Sequence, residues 1–137
     1  MIKTIRQFGW VYYLDEEKSK SLDPDRCGKW MYFFSDVKRA AELCMEAVEK
    51  GVVVDSKHSD EPEGVCCFYL NGDDQDAHKS VLQFFLEHDL IRKTKKGKLY
   101  NISFKYDNQT RNGEYGDSFQ AEIKLDQFLH LETGEWI

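Results

Sequence analysis

Along residues 28–106 the spacing of apolar residues switches repeatedly between two and about three and a half. A chain that does this must alternate strands with amphipathic helices around a shared core. Residues 36–50 carry Val37, Ala40, Ala41, Cys44, Met45, Ala47 and Val48 on an i, i+3, i+4, i+7 stripe. Ser35 or Asp36 is available as the N-cap and Gly51 as the stop. Residues 74–90 repeat the helical pattern with Ala77, Val81, Leu82, Phe84, Phe85 and Leu86, entered through the turn Asn71-Gly72-Asp73-Asp74. Between these helices, K-W-M-Y-F-F at 29–34, V-V-V at 52–54 and V-C-C-F-Y-L at 65–70 are apolar on both faces, as central strands are. Residues 99–106 alternate instead, Tyr100, Ile102, Phe104 and Tyr106 against Asn101, Ser103 and Lys105, and residues 119–125 do the same. Residues 10–14 add a further strand. The expected fold is α+β: a curved mixed, mainly antiparallel sheet with the two main helices packed on one face and the other face wet. The segments 15–28, 56–64, 92–98 and 107–118 read as loops too short and too poor in Pro to link domains, so residues 1–137 are expected to form a single domain.

Composition narrows the function. Nine Phe, seven Tyr and three Trp in 137 residues supply a core that a disordered chain lacks. A formal charge of -6 argues against a general binder of nucleic acid or of anionic membrane. With no run of about 18 apolar residues, and residues 1–6 leading into an aromatic segment rather than a leader-type stretch, the expectation is no membrane and a cytoplasmic location. Cys27, Cys44, Cys66 and Cys67 have no C-x-x-C spacing and read as free thiols. His58, His78, His88 and His130 are scattered, with no H-x-x-x-H pair, so no metal site is expected. His78 and His88 would stand about 15 Å apart along one helix and cannot share a site. Walker, G-x-G-x-x-G, G-x-S-x-G and H-E-x-x-H signatures are missing, and no cofactor is expected.

Any site must therefore be assembled from dispersed residues. Lys29, Lys57, His58, Lys105 and Arg111 lie at strand ends or in loops, where cations reaching one polar sheet face would favour phosphate or carboxylate through charge-assisted hydrogen bonds. The bland alternative is that each is a solvated charge. The run 92–98, R-K-T-K-K-G-K, could steer an anionic partner or could be a solvated turn, and it lacks the interleaved aromatics of a single-strand binder. Trp10, Tyr12, Tyr13, Trp30, Tyr32, Phe33, Phe34 and Trp136 could stack on a ring, but aromatics on adjacent strands more often form core. Asp55, Asp60, Glu61 and Glu63 near Lys57 could pair as acid and base, or simply be solvated.

Taken together, G-K-W-M-Y-F-F at 28–34, S-K-H-S at 56–59, V-C-C-F-Y-L with its following helix, and F-K-Y-D-N-Q-T-R-N-G-E-Y at 104–115 resemble the phosphothreonine lyase domain family typified by the basophilic-leukaemia-expressed protein. The resemblance covers residues 27–116 and implies a fold similar to that of the cap-binding translation initiation factor, with a cationic pocket opposite the helices. It also implies a relation to lyases that release phosphate from phosphothreonine by β-elimination. Carried onto this chain, Lys57 would be the base and Lys29, Lys105 and Arg111 the phosphate ligands. The pattern departs where the family's acid His stands two residues past an early Lys, because Lys29 is followed by Trp30 and Met31. His58 could substitute only if the S-K-H-S segment turns, since neighbours on an extended chain face opposite ways.

The leading expectation is thus a domain that binds a phosphorylated peptide or other anionic ligand without turnover. Its rivals are an active phosphothreonine lyase with Lys57 as base and His58 as acid, and a protein-interaction module acting as inhibitor or adaptor.

Overall fold

The computed structural model describes residues 2–111 and 121–137, with residues 110 and 111 described by their backbone alone. Among the described residues, seven strands are β1 (Ile2–Gln7), β2 (Trp10–Asp15), β3 (Cys27–Phe34), β4 (Asp55–Ser59), β5 (Gly64–Asn71), β6 (Ser103–Tyr106) and β7 (Ile123–Lys124). They form one open antiparallel sheet in the order β1-β2-β4-β5-β3-β6-β7. The helices are α1 (Val37–Glu49), α2 (Gln75–Glu87) and a short α3 (Asp107–Arg111). This is the α+β class that the alternating periodicities require.

Both long helices have side-chain caps, and at α1 the cap is Asp36 rather than Ser35. The Asp36 carboxylate accepts from the backbone N–H groups of Lys38 and Arg39, and Gly51 follows α1 with a left-handed φ of 71°. The Asp74 carboxylate accepts from Ala77 N–H at the start of α2. Their apolar stripes cover one sheet face, where Val11, Tyr13, Trp30, Phe34, Cys66, Phe68, Leu70 and Phe104 meet Leu43, Cys44, Ala47, Val81, Leu82, Phe84 and Phe85. Trp30 is wholly buried there, and its indole N–H donates to Nδ1 of His78 at 3.0 Å while His78 Nε2–H donates to the Gly72 carbonyl at 2.8 Å. Every polar atom of this buried pair is satisfied, and burial holds the His78 pKa below its usual value. No helix among the described residues is long and apolar enough to cross a membrane.

Five local expectations need correction. Residues 52–54 are not a strand: the Val52 and Val53 N–H groups bond to the Ala47 carbonyl and finish α1, tucking Val53 into the core. The strand begins at Asp55 instead, inside the segment expected to be a loop. Its D-S-K-H-S sequence hid it because Ser56 and His58, both polar, occupy the inward positions. The strand expected over 99–106 forms only as Ser103–Tyr106, because Leu99 N–H is taken by Leu131 and Tyr100 N–H by Arg92. The strand expected over 119–125 survives as Ile123–Lys124, followed by a 3-10 turn at Leu125–Gln127, and residues 119 and 120 lie outside the described residues. The expected loop over 107–118 opens with α3, and its remainder lies outside the described residues. The edge strand β1 was not anticipated, since I-K-T-I-R-Q has too few apolar residues to announce a buried face.

Candidate anion-binding face

Strand alternation sends the two neighbours in each of these strands to opposite faces of the sheet. On β3, Trp30 goes to the helices and Lys29 to the opposite face, which is not wet as expected there, since Lys29, Lys105 and Cys67 are all buried. On β4, Ser56 and His58 go to the helices and Asp55 and Lys57 to that opposite face. On β5, Cys66, Phe68 and Leu70 go inward, leaving Cys67 and Tyr69 outward.

Register then assembles these outward residues into two rows. Tyr12, Lys57, Cys67 and Met31 are successive cross-strand partners through β2, β4, β5 and β3. One step along, Tyr69, Lys29 and Lys105 are successive partners through β5, β3 and β6. Lys29 and Lys105 are thus directly opposite each other and both only 7% exposed. Like charges so placed repel and each loses hydration.

Carboxylates moderate that repulsion. Asp107, two residues beyond Lys105 at the start of α3, accepts from Lys29 Nζ at 2.8 Å and from the Cys27 thiol at 3.4 Å. Asp55, two residues before Lys57, has its pKa raised to about 6 by burial, with Lys57 pulling down and Asp107 pushing up. One Asp55 carboxylate oxygen is buried without a hydrogen-bond partner among the described residues. Lys57 rests on aromatic rings, its Nζ 3.9 Å from the centroid of Trp10, 5.6 Å from that of Tyr12 and 5.8 Å from that of Tyr69. Such contact stabilises the ammonium, yet burial and the Lys29 charge still hold the Lys57 pKa below the ordinary lysine range. Burial pushes the Cys67 thiol up to about 11 and raises Tyr69 as well, so neither is a ready nucleophile.

The structure therefore brings Lys29, Lys57 and Lys105 to one face and separates His58 from them. His58 is 2% exposed, accepts from the Tyr13 hydroxyl at 3.2 Å through Nε2 and donates from Nδ1 to the Ser59 carbonyl at 2.8 Å. The pairing of Lys57 as base with His58 as acid is corrected accordingly: β4 is straight through residues 55–59, and adjacent side chains cannot reach one site. The Arg111 side chain lies outside the described residues, though its backbone ends α3, four residues after Asp107. Asp60, Glu61 and Glu63 are exposed, and Asp60 pairs with Arg6 at 3.1 Å. Cys67 and Tyr69 stand two apart in C-C-F-Y, a spacing that places both on one face once the segment is known to be extended, whereas Asp107 follows the end of β6 as the first residue of α3. Asp107 and Tyr69 escaped the sequence reading because nothing in it says which strands become neighbours. No protein-family model matches the chain, and no curated protein matches it.

Proposed function

We propose that this protein binds a phosphorylated or otherwise anionic ligand on the sheet face opposite the helices through Lys29, Lys57 and Lys105, without turning it over, and that it is akin to the phosphothreonine lyase-like domains its motifs resemble. The observation that carries this reading is the convergence of three lysines from β3, β4 and β6 on one face of an acidic protein. Among the described residues the face gathers three ammonium groups and two carboxylates, and an anion between the directly opposed Lys29 and Lys105 would be held by both through charge-assisted hydrogen bonds. Aromatic rings beneath Lys57 restrict its motion, which lowers the entropy lost when a ligand is held.

Binding without turnover is supported by the position of His58. β-Elimination of phosphothreonine removes the α-proton to a base while the Cβ–O bond breaks and phosphate leaves with the electron pair. Lys57, with its lowered pKa, suits the first half of that step. The imidazole that would protonate the departing phosphate is enclosed on the helix side of the sheet.

Calorimetric titration with sulfate and with a phosphothreonine peptide tests the reading. Saturable binding is expected for the wild type and its loss in Lys57→Glu, with thermal stability shifted by only a few degrees, because Lys57 is half-buried and makes no side-chain hydrogen bond among the described residues. His58→Ala is expected to lower stability by about 2 kcal/mol through the lost Tyr13 contact and to leave affinity unchanged. No saturation by about 10 mM ligand, a free energy of under about 3 kcal/mol, would reject the site. Loss of phosphoric acid from the peptide by mass spectrometry would instead establish the lyase.

A further inference from the structure

The run 92–98 is the one strongly basic stretch of this acidic chain, and the anion-binding face does not use it. Its first residue, Arg92, lines a mostly apolar cleft of about 450 Å³ together with Met31, Tyr32, Phe33, Leu90 and Tyr100. The cleft exists because β6 leaves β3 early. Pairing between them covers Gly28 and Lys29 and stops, so among the described residues no strand pairs with residues 30–34 on that side. Backbone groups point alternately to the two sides of a strand, and β5 takes only one side. Tyr100, whose N–H bonds to the Arg92 carbonyl, stands across the gap. The lining also includes two of the large apolar side chains left exposed in this protein, Phe33 at 60% and Tyr100 at 50%.

An open strand edge, exposed aromatics and adjacent cations together define what would fill the gap. We infer that the outer edge of β3 over residues 31–34 is a docking site for an extended acidic segment of a partner protein, which adds as a strand between β3 and the chain at 100–103. Main-chain hydrogen bonds to β3 would supply affinity, apolar side chains of the segment would meet Phe33 and Tyr100, and its carboxylates would meet Arg92 and Lys93. At about 3.3 Å per residue and about 4.8 Å between strands, the cleft takes about three residues of a single extended segment. Pairing of β3 with β3 in a second copy is disfavoured because a two-fold arrangement would bring two basic runs together. The site is independent of the anion-binding reading: it uses the edge of β3 rather than Lys29, Lys57 and Lys105.

The test is fluorescence anisotropy with the intact protein and a labelled synthetic peptide of about ten residues alternating Glu with Val and Phe, a length that spans the cleft with flanks. Saturable binding near 100 μM is expected, falling about tenfold or more in Arg92→Glu and in Phe33→Asp. Both side chains are exposed, so these variants should melt as the wild type does. Amide exchange of residues 31–34 should slow when the peptide is added, and N-methylation of every second peptide nitrogen should abolish binding, since it removes the donors of the added strand. Undiminished binding of the N-methylated peptide, or no change in exchange at residues 31–34, would overturn the inference. So would a dimer in sedimentation that Phe33→Asp dissolves, or an RNA oligonucleotide that binds at Arg92 where the peptide does not.

Discussion

Asp55 is a carboxylate held where its charge is poorly solvated, with one oxygen lacking a hydrogen-bond partner among the described residues and a pKa raised to about 6. Between the unfolded pKa near 4 and the folded value, the native state binds the extra proton, so stability should fall as pH rises through that window and level off above it. Asp55→Asn is expected to remove this slope and to add about 1 kcal/mol at pH 7, after allowance for partial solvation, in chemical denaturation at pH 4 to 8. The same charge opposes an anion beside Lys57. Sulfate, whose own charge is constant in this range, should therefore bind about tenfold more tightly at pH 5 than at pH 7, and Asp55→Asn should bind at pH 7 as the wild type does at pH 5. A pH-independent affinity would remove Asp55 from the site. His78 acts on stability in the opposite sense: its lowered pKa means a contribution present above about 6.5 and lost as pH falls below it. The Asn substitution separates the two, because the His78 slope should remain.

At the scale of elements, the site depends on how closely β6 approaches β3. A Cβ on Gly28 would stand 2.5 Å from the Lys105 carbonyl oxygen and 2.7 Å from the Phe104 ring, both on β6. Neither can yield, one being backbone and the other wholly buried. Gly28→Ala is expected to push β6 off β3, costing about 2 kcal/mol by the usual range for overpacking and weakening sulfate binding along with it, since β6 carries Lys105. Thermal denaturation paired with calorimetry checks this, and unchanged affinity in a destabilised Ala variant would mean that Lys105 is dispensable. Gly72 is constrained in a similar way by the ring of Tyr106, the last residue of the same strand. Two glycines thus seat β6 closely beside β3 and the turn that leads into α2, and the divergence of the chain on the N-terminal side of Lys105 opens the edge of β3.

At the scale of the whole molecule, burial sorts the four free cysteines. Cys44, Cys66 and Cys67 are buried and Cys27 is half-buried at the sheet margin. Native-state titration with a thiol reagent should find one reactive group and guanidinium should release the other three; more than one fast thiol would mean that the sheet opens at β5. The sequence by itself determined a good deal here. Apolar stripes set the inner faces of α1 and α2, Ser35 or Asp36 stood ready to cap α1, the turn 71–74 marked the entry to α2, and the apolar runs of β3 and β5 marked them as central strands. These are consequences of local geometry, a period of 3.6 or of two, which a string of residues carries within itself. Where polar side chains fill inward positions, as Ser56 and His58 do in β4, the same signal fails. Strand order and register lay beyond the string altogether. Only the tertiary structure decided that β4, β5, β3 and β6 stand side by side, which brings Lys57, Lys29 and Lys105 onto one face with Asp107 among them and sends His58 to the other. The physical reason is that pairing between distant strands is settled by the packing of the whole core, and a lysine's partners depend on which strand that packing places next to its own.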